Sequence, residues 1–414
     1  MNDIAASSFF EPQVIADPFD YYRAWMPKSP VVQLSESMFL VLSYEHCAQA
    51  TGDVETFSNN FQGTLSGAMA EDGDVAAILA KGWPQVDTLL TADPPTHTRF
   101  RKLVNLAFSM KRVAAIEEDM RGVVVDLIET MAEKDDVDFV SDFGIPLPVA
   151  MIASQIGMEG ELDRVKRWSD AFVDRLGRMI PKERELECAR EVVEFQHYVK
   201  ARIDERRASR TDDLLSDLVH AEVDGERPLE DEEILSIMQQ LMVAGNETTT
   251  SALAGGLLQL IENPDQMAKA VAAADEGNDR AIINLVEEVL RTESPTAGMW
   301  RMVLKDAELG GVKIPKGAMV QLRYAAANRD PAKYPDPDRF DMERANARSH
   351  LAFGKGIHMC VGNMLSRKEM AVAYSELLTR LADFRVSEGH TPSWPPNMLL
   401  RGLTTLPISF RRRA

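Results

Sequence analysis

The sequence predicts a mainly α-helical fold with a small β-rich portion. Apolar residues recur at three-to-four spacing over long stretches, strand-like runs are short and scattered, and no Gly/Ser- or Pro-rich linker divides the 414 residues. Length alone would allow two or three domains. With no linker, repeat or low-complexity tract, one domain over residues 1–414 is expected, with no fused redox-partner domain. The helical period runs over Met110–Glu133, Leu162–Met179, Glu185–Arg207, Asp231–Glu262 and Val361–Leu381. Val31–Leu34 and Phe39–Ser43 read as a hairpin that turns over Ser35–Met38. Leu309–Leu322 reads as strand, turn at Pro315–Lys316–Gly317, then strand, while Met398–Arg401 and Leu406–Arg411 read as extended. Prolines at 331, 335 and 337 keep Asn328–Phe340 irregular.

A formal charge of −19 argues against nucleic acid and anionic membrane partners. No apolar run approaches the roughly 18 residues that a membrane-spanning helix needs. The N-terminal stretch carries acids and prolines where an export signal needs basic residues and an apolar core. Cys47, Cys188 and Cys360 lie far apart, which suits a reducing compartment rather than a disulfide framework. A soluble, cytoplasmic, monomeric protein is expected.

The chemistry gathers at Cys360, within Phe353–Gly354–Lys355–Gly356–Ile357–His358–Met359–Cys360–Val361–Gly362. Glycines let backbone approach something closely. A helix starting just downstream favours a thiolate through its positive N-terminus. One isolated cysteine argues against iron–sulfur clusters and structural zinc, leaving haem as the leading candidate. Without C-x-x-C-H, covalent haem attachment is not indicated. Three other segments stand out. Ala244–Gly245–Asn246–Glu247–Thr248–Thr249 puts polar groups in the middle of a long apolar helix, where burial is costly; alone it reads as a solvated stripe. Glu288 and Arg291 sit i,i+3 on another helix, ordinarily a surface ion pair. His97 and Arg101 share one face of a helix that follows Pro94–Pro95 and would repel unless they met an anion.

Taken together, these motifs resemble the cytochrome P-450 superfamily, in particular its soluble bacterial-type haem-thiolate monooxygenases. The cysteine frame matches the signature F-x-x-G-x-H-x-C-x-G, the mid-helix run matches A-G-x-[DE]-T, and Glu288–Arg291 matches E-x-x-R. The matches keep the family's order from Asp93 to Gly362. The resemblance implies the cytochrome P-450 fold and a haem b whose axial ligand is Cys360. It implies that Phe353, Gly354, Gly362 and Ala244 border the haem, and that His97, Arg101, Arg301 and His358 hold its propionates. Glu247 and Thr248 inherit proton delivery to dioxygen. Glu288, Arg291 and Arg339 inherit a structural lock. Pocket walls are expected at Ala244, Thr248, the Thr296–Ala297–Gly298–Met299 turn and Leu399 or Leu400, with Gln62–Leu90 as part of a lid. Small residues at Ala297 and Gly298 suggest room for a medium or large hydrophobic substrate: a terpenoid, a steroid or an aromatic. Electrons are expected from a separate ferredoxin and its reductase, docking near Lys102, Lys111, Arg112, Lys355, Arg367 and Lys368. Competing readings are a peroxide-driven peroxygenase, for which the Glu247–Thr248 pair would be dispensable, and a non-catalytic haem-binding or gas-sensing protein.

Overall fold

The computed structural model describes residues 5–60, 73–108, 110–155, 157–158, 160–175, 180–223 and 225–413. Helices account for 55% of the chain and the sheets are small, as the periodicity predicts. The helices that position the site are, in chain order, α1 (Phe19–Trp25), α2 (Tyr44–Gly52), α3 (Thr96–Ala107), α4 (Glu117–Met131), α5 (Leu162–Arg175), α6 (Lys182–Ala208), α7 (Asp231–Glu262), α8 (Pro264–Asp275), α9 (Asp279–Glu293) and α10 (Asn363–Arg380). The expected Met110–Glu133 helix is broken: a short helix, Met110–Ala115, stops before Ile116, whose φ of −95° and ψ of 2° leave the helical region. Residues 176–179, at the end of the expected Leu162–Met179 helix, lie outside the described residues.

The strands are β1 (Val31–Ser35), β2 (Met38–Val41), β3 (Phe57–Ser58), β4 (Val137–Asp138), β5 (Met299–Val303), β6 (Ala307–Leu309), β7 (Val312–Ile314), β8 (Met319–Leu322), β9 (Leu381–Val386) and β10 (Pro407–Arg412). The first hairpin forms as expected, with Val31 opposite Val41. It seeds a five-stranded sheet of order β1-β2-β8-β5-β3, in which only β2 and β8 run parallel. Alternation divides its side chains between two cores. Val31, Phe39 and Val41 join Cys47, Val320 and Leu322; Val32, Leu40 and Leu42 join Phe9, Tyr22 and Ala297. The stretch expected as two strands over Leu309–Leu322 contains more. Gly310 and Gly311 both take positive φ and close a separate β6–β7 hairpin before the Pro315–Gly317 turn leads into β8. Met398–Arg401 contributes only a bridge from Leu400 to Thr296. Leu406–Arg411 is found as β10, pairing with β9, whose first residue the sequence assigned to the preceding helix.

The chain packs as two compact units. One comprises Met1–Ser58, Ile116–Leu147 and Glu247–Ala414; the other comprises Asn59–Ala115 and Pro148–Asn246. One of the boundaries, between Asn246 and Glu247, falls inside helix α7. In the second unit, α5 packs on α6 through Trp168 and Phe172, both edge-on to Phe195. Within the same unit Arg99 and Arg227 converge on Glu233 at 2.9 and 2.7 Å. The described part of the expected lid follows the first half of α7: the Val86 amide donates to Ser236 and the Leu90 amide to Gln240. Residues 61–72 of that segment lie outside the described residues. Among the described residues, no helix is long and apolar enough to cross a membrane.

Candidate active site

The cysteine segment is a braced loop. The Cys360 N–H donates to the Phe353 carbonyl at 2.9 Å, and Asn363 Nδ2 donates to the Cys360 carbonyl at 2.7 Å. Gly354 and Gly356 hold positive φ angles of 66° and 75°. A Cβ on Gly356 would stand 2.8 Å from the Thr51 carbonyl, so bare backbone is required where the loop lies against α2. Gly362 caps α10, placing Cys360 just ahead of a helix N-terminus that favours a thiolate.

Behind the loop lies the E-x-x-R pair, fully buried. Arg291 makes a forked ion pair with Glu288 at 2.7 and 2.8 Å. It also donates to the Asn328 carbonyl at 2.9 Å, and the Asn328 side chain accepts from the Leu351 amide at 2.6 Å. The ion pair thus braces the chain just before Phe353. The expected third partner, Arg339, is not in this cluster. Its side chain is exposed and it contributes only a carbonyl, which accepts from Arg291 and Arg344. Arg344 takes the role, pairing with Glu288 at 3.0 Å. Prolines 335 and 337 shape the intervening turn so that carbonyls of 335, 336 and 339 face Arg344.

A second buried cluster escaped the sequence reading. Glu287 accepts from His350 Nε2 at 2.9 Å and from Arg367 at 2.8 and 3.1 Å. Burial would push its carboxyl up, but His350 and Arg367 outweigh that and hold it at about 2. His350 is pushed down, chiefly by burial. The Arg367 guanidinium lies 4.4 Å from the centre of the Phe353 ring. His350, three residues before Phe353, was the available signal.

The polar run in α7 divides by role. Thr249 lies 3.2 Å from Ser366 of α10, Thr250 donates to the Gly144 carbonyl at 2.8 Å, and Ser251 donates to the Glu247 carbonyl at 2.7 Å. Those groups are structural. Glu247 and Thr248 are half-exposed and Ala244 is exposed. A hydroxyl back-bonded to the i−4 carbonyl loosens the helical ladder beside Glu247. Tyr374 of α10 adds bonds to the Ala252 and Leu253 carbonyls, completing the seam between α7 and α10.

The cationic residues fall in both units. In the second, His97 is buried on α3 and its pKa is lowered, first by burial and then by Arg101, against the pull of Asp93. The repulsion expected of a cation pair is therefore relieved by a neutral imidazole. In the first, Arg301 is buried on β5 and donates to its neighbour's carbonyl at 2.7 Å. The Tyr324 hydroxyl lies 3.7 Å from where a Cβ on Gly354 of the cysteine loop would stand. His358 is half-buried in the short turn Gly356–His358.

Of the expected pocket walls, the backbone brings Leu399 to the 296–299 turn: the Ala297 and Gly298 amides donate to its carbonyl at 2.8 and 3.4 Å. Ala297 and Gly298 themselves are not walls. Ala297 is buried in the core with Phe9 and Tyr22, and a Cβ on Gly298 would stand 2.7 Å from the Leu322 carbonyl. Their small size serves strand packing rather than substrate room. Thr296, Met299, Leu399 and Leu400 are the half-exposed members. Of the expected docking cations, Lys102 pairs with Glu226, Arg112 with Asp217, Arg367 with Glu287 and Lys368 with Glu117, whereas Lys111 and Lys355 are exposed.

These residues fit a flat, metal-bearing macrocycle. The loop offers one soft sulfur donor, which suits iron, and a Cβ on Gly362 would meet no heavy atom within 4 Å. From Val361 to Lys368 every residue is half-buried, including apolar Val361, Met364 and Leu365.

Comparison with known proteins agrees. The family described as Cytochrome P450 matches residues 161–410. The steroid C26-monooxygenase of Mycobacterium tuberculosis is 32% identical over 99% of this chain and 96% of its own length. The 6-deoxyerythronolide B hydroxylase of Saccharopolyspora erythraea is 33% identical over 96% of this chain and 98% of its own. Among solved structures, cytochrome P450 CYP109Q5 from Chondromyces apiculatus superposes with a TM-score of 0.85 at 32% identity, covering 99% of both chains. Cytochrome P450 CREJ in complex with (4-ethylphenyl) dihydrogen phosphate gives 0.87 at 30% identity, over 98% of this chain and 100% of that one. Fold, cysteine loop and relatives together make this chain a member of the cytochrome P450 family, the haem b monooxygenases.

Proposed function

We propose that the chain oxygenates a hydrophobic organic molecule of about steroid size, with Cys360 as the thiolate ligand of its haem and electrons from a separate ferredoxin and reductase. One observation carries the reading. Cys47 and Cys188 are fully buried, whereas Cys360 alone is half-exposed, in a glycine-framed loop at a helix N-terminus. Burial pushes the Cys47 and Cys188 thiols up, away from the thiolate form.

When bound, the haem supplies activation of dioxygen and insertion of one oxygen atom into substrate, and thiolate donation favours O–O cleavage. The remaining work falls to side chains. Arg101 and Arg301 would meet the propionates with charge, and His358 and His97 would offer ring N–H donors beside them. Glu247 and Thr248 pass protons singly toward the oxygen site, the carboxylate holding what the hydroxyl hands on. Phe353, Gly354 and Gly362 shape the ligand loop, with Glu288, Arg291 and Arg344 bracing it from behind. Substrate meets Ala244, Thr248, Thr296, Met299 and Leu399. The names of the steroid and 6-deoxyerythronolide B relatives support that size of substrate. Lys111 and Lys355 are the exposed cations suited to an acidic electron donor.

A carbon monoxide difference spectrum tests the ligand: the thiolate-type Soret band is expected from the native protein and should vanish in Cys360→His. Native spectra from Cys360→Ala would end the reading. Thr248→Ala should divert electrons to peroxide and cut coupled product by about 10²-fold. A ligand panel scored by spin-state shift then narrows the substrate. Charge reversal at Lys111 and Lys355 should slow reduction and flatten its salt dependence.

A further inference from the structure

The Glu287 cluster reaches the metal ligand by two routes. Arg367 stacks on Phe353, whose carbonyl accepts the Cys360 N–H at 2.9 Å. Arg367 Nη1 also donates to Asn363 Oδ1 at 2.8 Å, and Asn363 Nδ2 donates to the Cys360 carbonyl at 2.7 Å. Both sides of the Cys360 residue are therefore tied to one guanidinium. That guanidinium is fixed by Glu287, which is 1% exposed at its side chain, through two bonds. His350 holds the other side of the carboxylate, and its ring lies 5.8 Å from that of Phe353. Its Nδ1 accepts from the Ala352 amide at 3.1 Å, which leaves Nε2 as the protonated nitrogen facing Glu287. The other charges nearby are Arg348, exposed and 3.6 Å from Glu287, and the buried Glu288–Arg291–Arg344 group.

We propose that Glu287, His350 and Arg367 form a charge clamp that positions Phe353 and Asn363 against Cys360 and sets the reduction potential of the iron bound there. The inference rests on the reading of Cys360 as the ligand. Reduction adds one electron, supplied by the donor protein, and the thiolate stays deprotonated. A cation near the sulfur stabilises the reduced state and an anion opposes it. Arg367 and Glu287 therefore pull in opposite directions, and all three members are positioning residues.

Spectroelectrochemical titration of the haem-loaded protein tests the clamp. Arg367→Gln should raise the oxidised-to-reduced ratio at fixed potential about three- to tenfold, and Glu287→Gln should lower it by a similar factor. The double variant should return near the native value, and Arg367→Lys should restore most of the native potential. A purely structural role would shift both single variants the same way and would leave the lysine variant unrescued; either result overturns the proposal, as does a potential unmoved in all of them. If Glu287→Gln fails to fold, the comparison of Arg367→Gln with Arg367→Lys decides alone. The carbon monoxide spectrum separates the two levels. Loss of the thiolate signature in the native protein sinks the reading of Cys360, whereas an intact signature with unresponsive potentials sinks only the clamp.

Discussion

Glu287 and Glu369 lie on helices packed against each other, α9 and α10, and both carboxyls are almost completely buried. Their acidities diverge. Glu287 has His350 and Arg367 and is held at about 2, despite burial. Glu369 Oε2 has no hydrogen-bond partner among the described residues, and burial alone pushes the carboxyl up to about 8. Burial sets the cost of an ionised carboxylate; partners decide whether the protein bears that cost or keeps the proton. Where the chain needs a fixed charge behind its metal loop it supplies cations, and in the middle of α10 it keeps a neutral acid.

The contrast can be broken most forcefully at Glu288, the other paired acid. Arg291→Ala breaks the forked, fully buried pair, leaving Glu288 with Arg344 alone, and should cost about 3–5 kcal/mol in chemical denaturation. Glu369 should respond in the opposite sense. Its folded pKa is raised from 4.5, so its contribution is complete below that value and is lost as pH climbs toward about 8. Glu369→Gln should therefore be more stable than the native chain by roughly 3 kcal/mol at pH 7, with the gap closing near pH 4. For Glu287, with its folded pKa depressed from 4.5, stability is present above that value and falls as pH drops toward about 2. The native protein should lose on the order of 2–3 kcal/mol across that window, a slope that Glu287→Gln should lack. Ser366→Ala, which deletes one hydroxyl of the α7–α10 seam, should cost about 1 kcal/mol. Arg339→Ala should fall within about 0.5 kcal/mol, since only its carbonyl serves the cluster.

Legibility tracked how locally each feature is encoded. The limits of α7 were readable because 32 residues keep one period, and the cysteine frame because glycines and an aromatic stand at fixed offsets within ten residues. Glu288 and Arg291 are one turn apart and were found together. Their third partner was not, since two arginines flank the same proline-rich turn and only the folded backbone decides which side chain turns inward. The β3, β4, β5 and β9 strands were missed: β3 and β4 are two residues long, β5 starts at Met299, which was read as the end of a turn, and β9 follows a helix without a break. Gly298 misled for a related reason. A missing side chain looks the same in sequence whether it makes room for a ligand or for a neighbouring strand, and here it is the strand.

The Ala352 amide on the imidazole of His350 has a further effect. With one ring nitrogen occupied by backbone and the other committed to a carboxylate, the ring can gain a proton only by surrendering a main-chain bond. The electrostatic environment beneath the metal loop is thereby insulated from modest changes in pH.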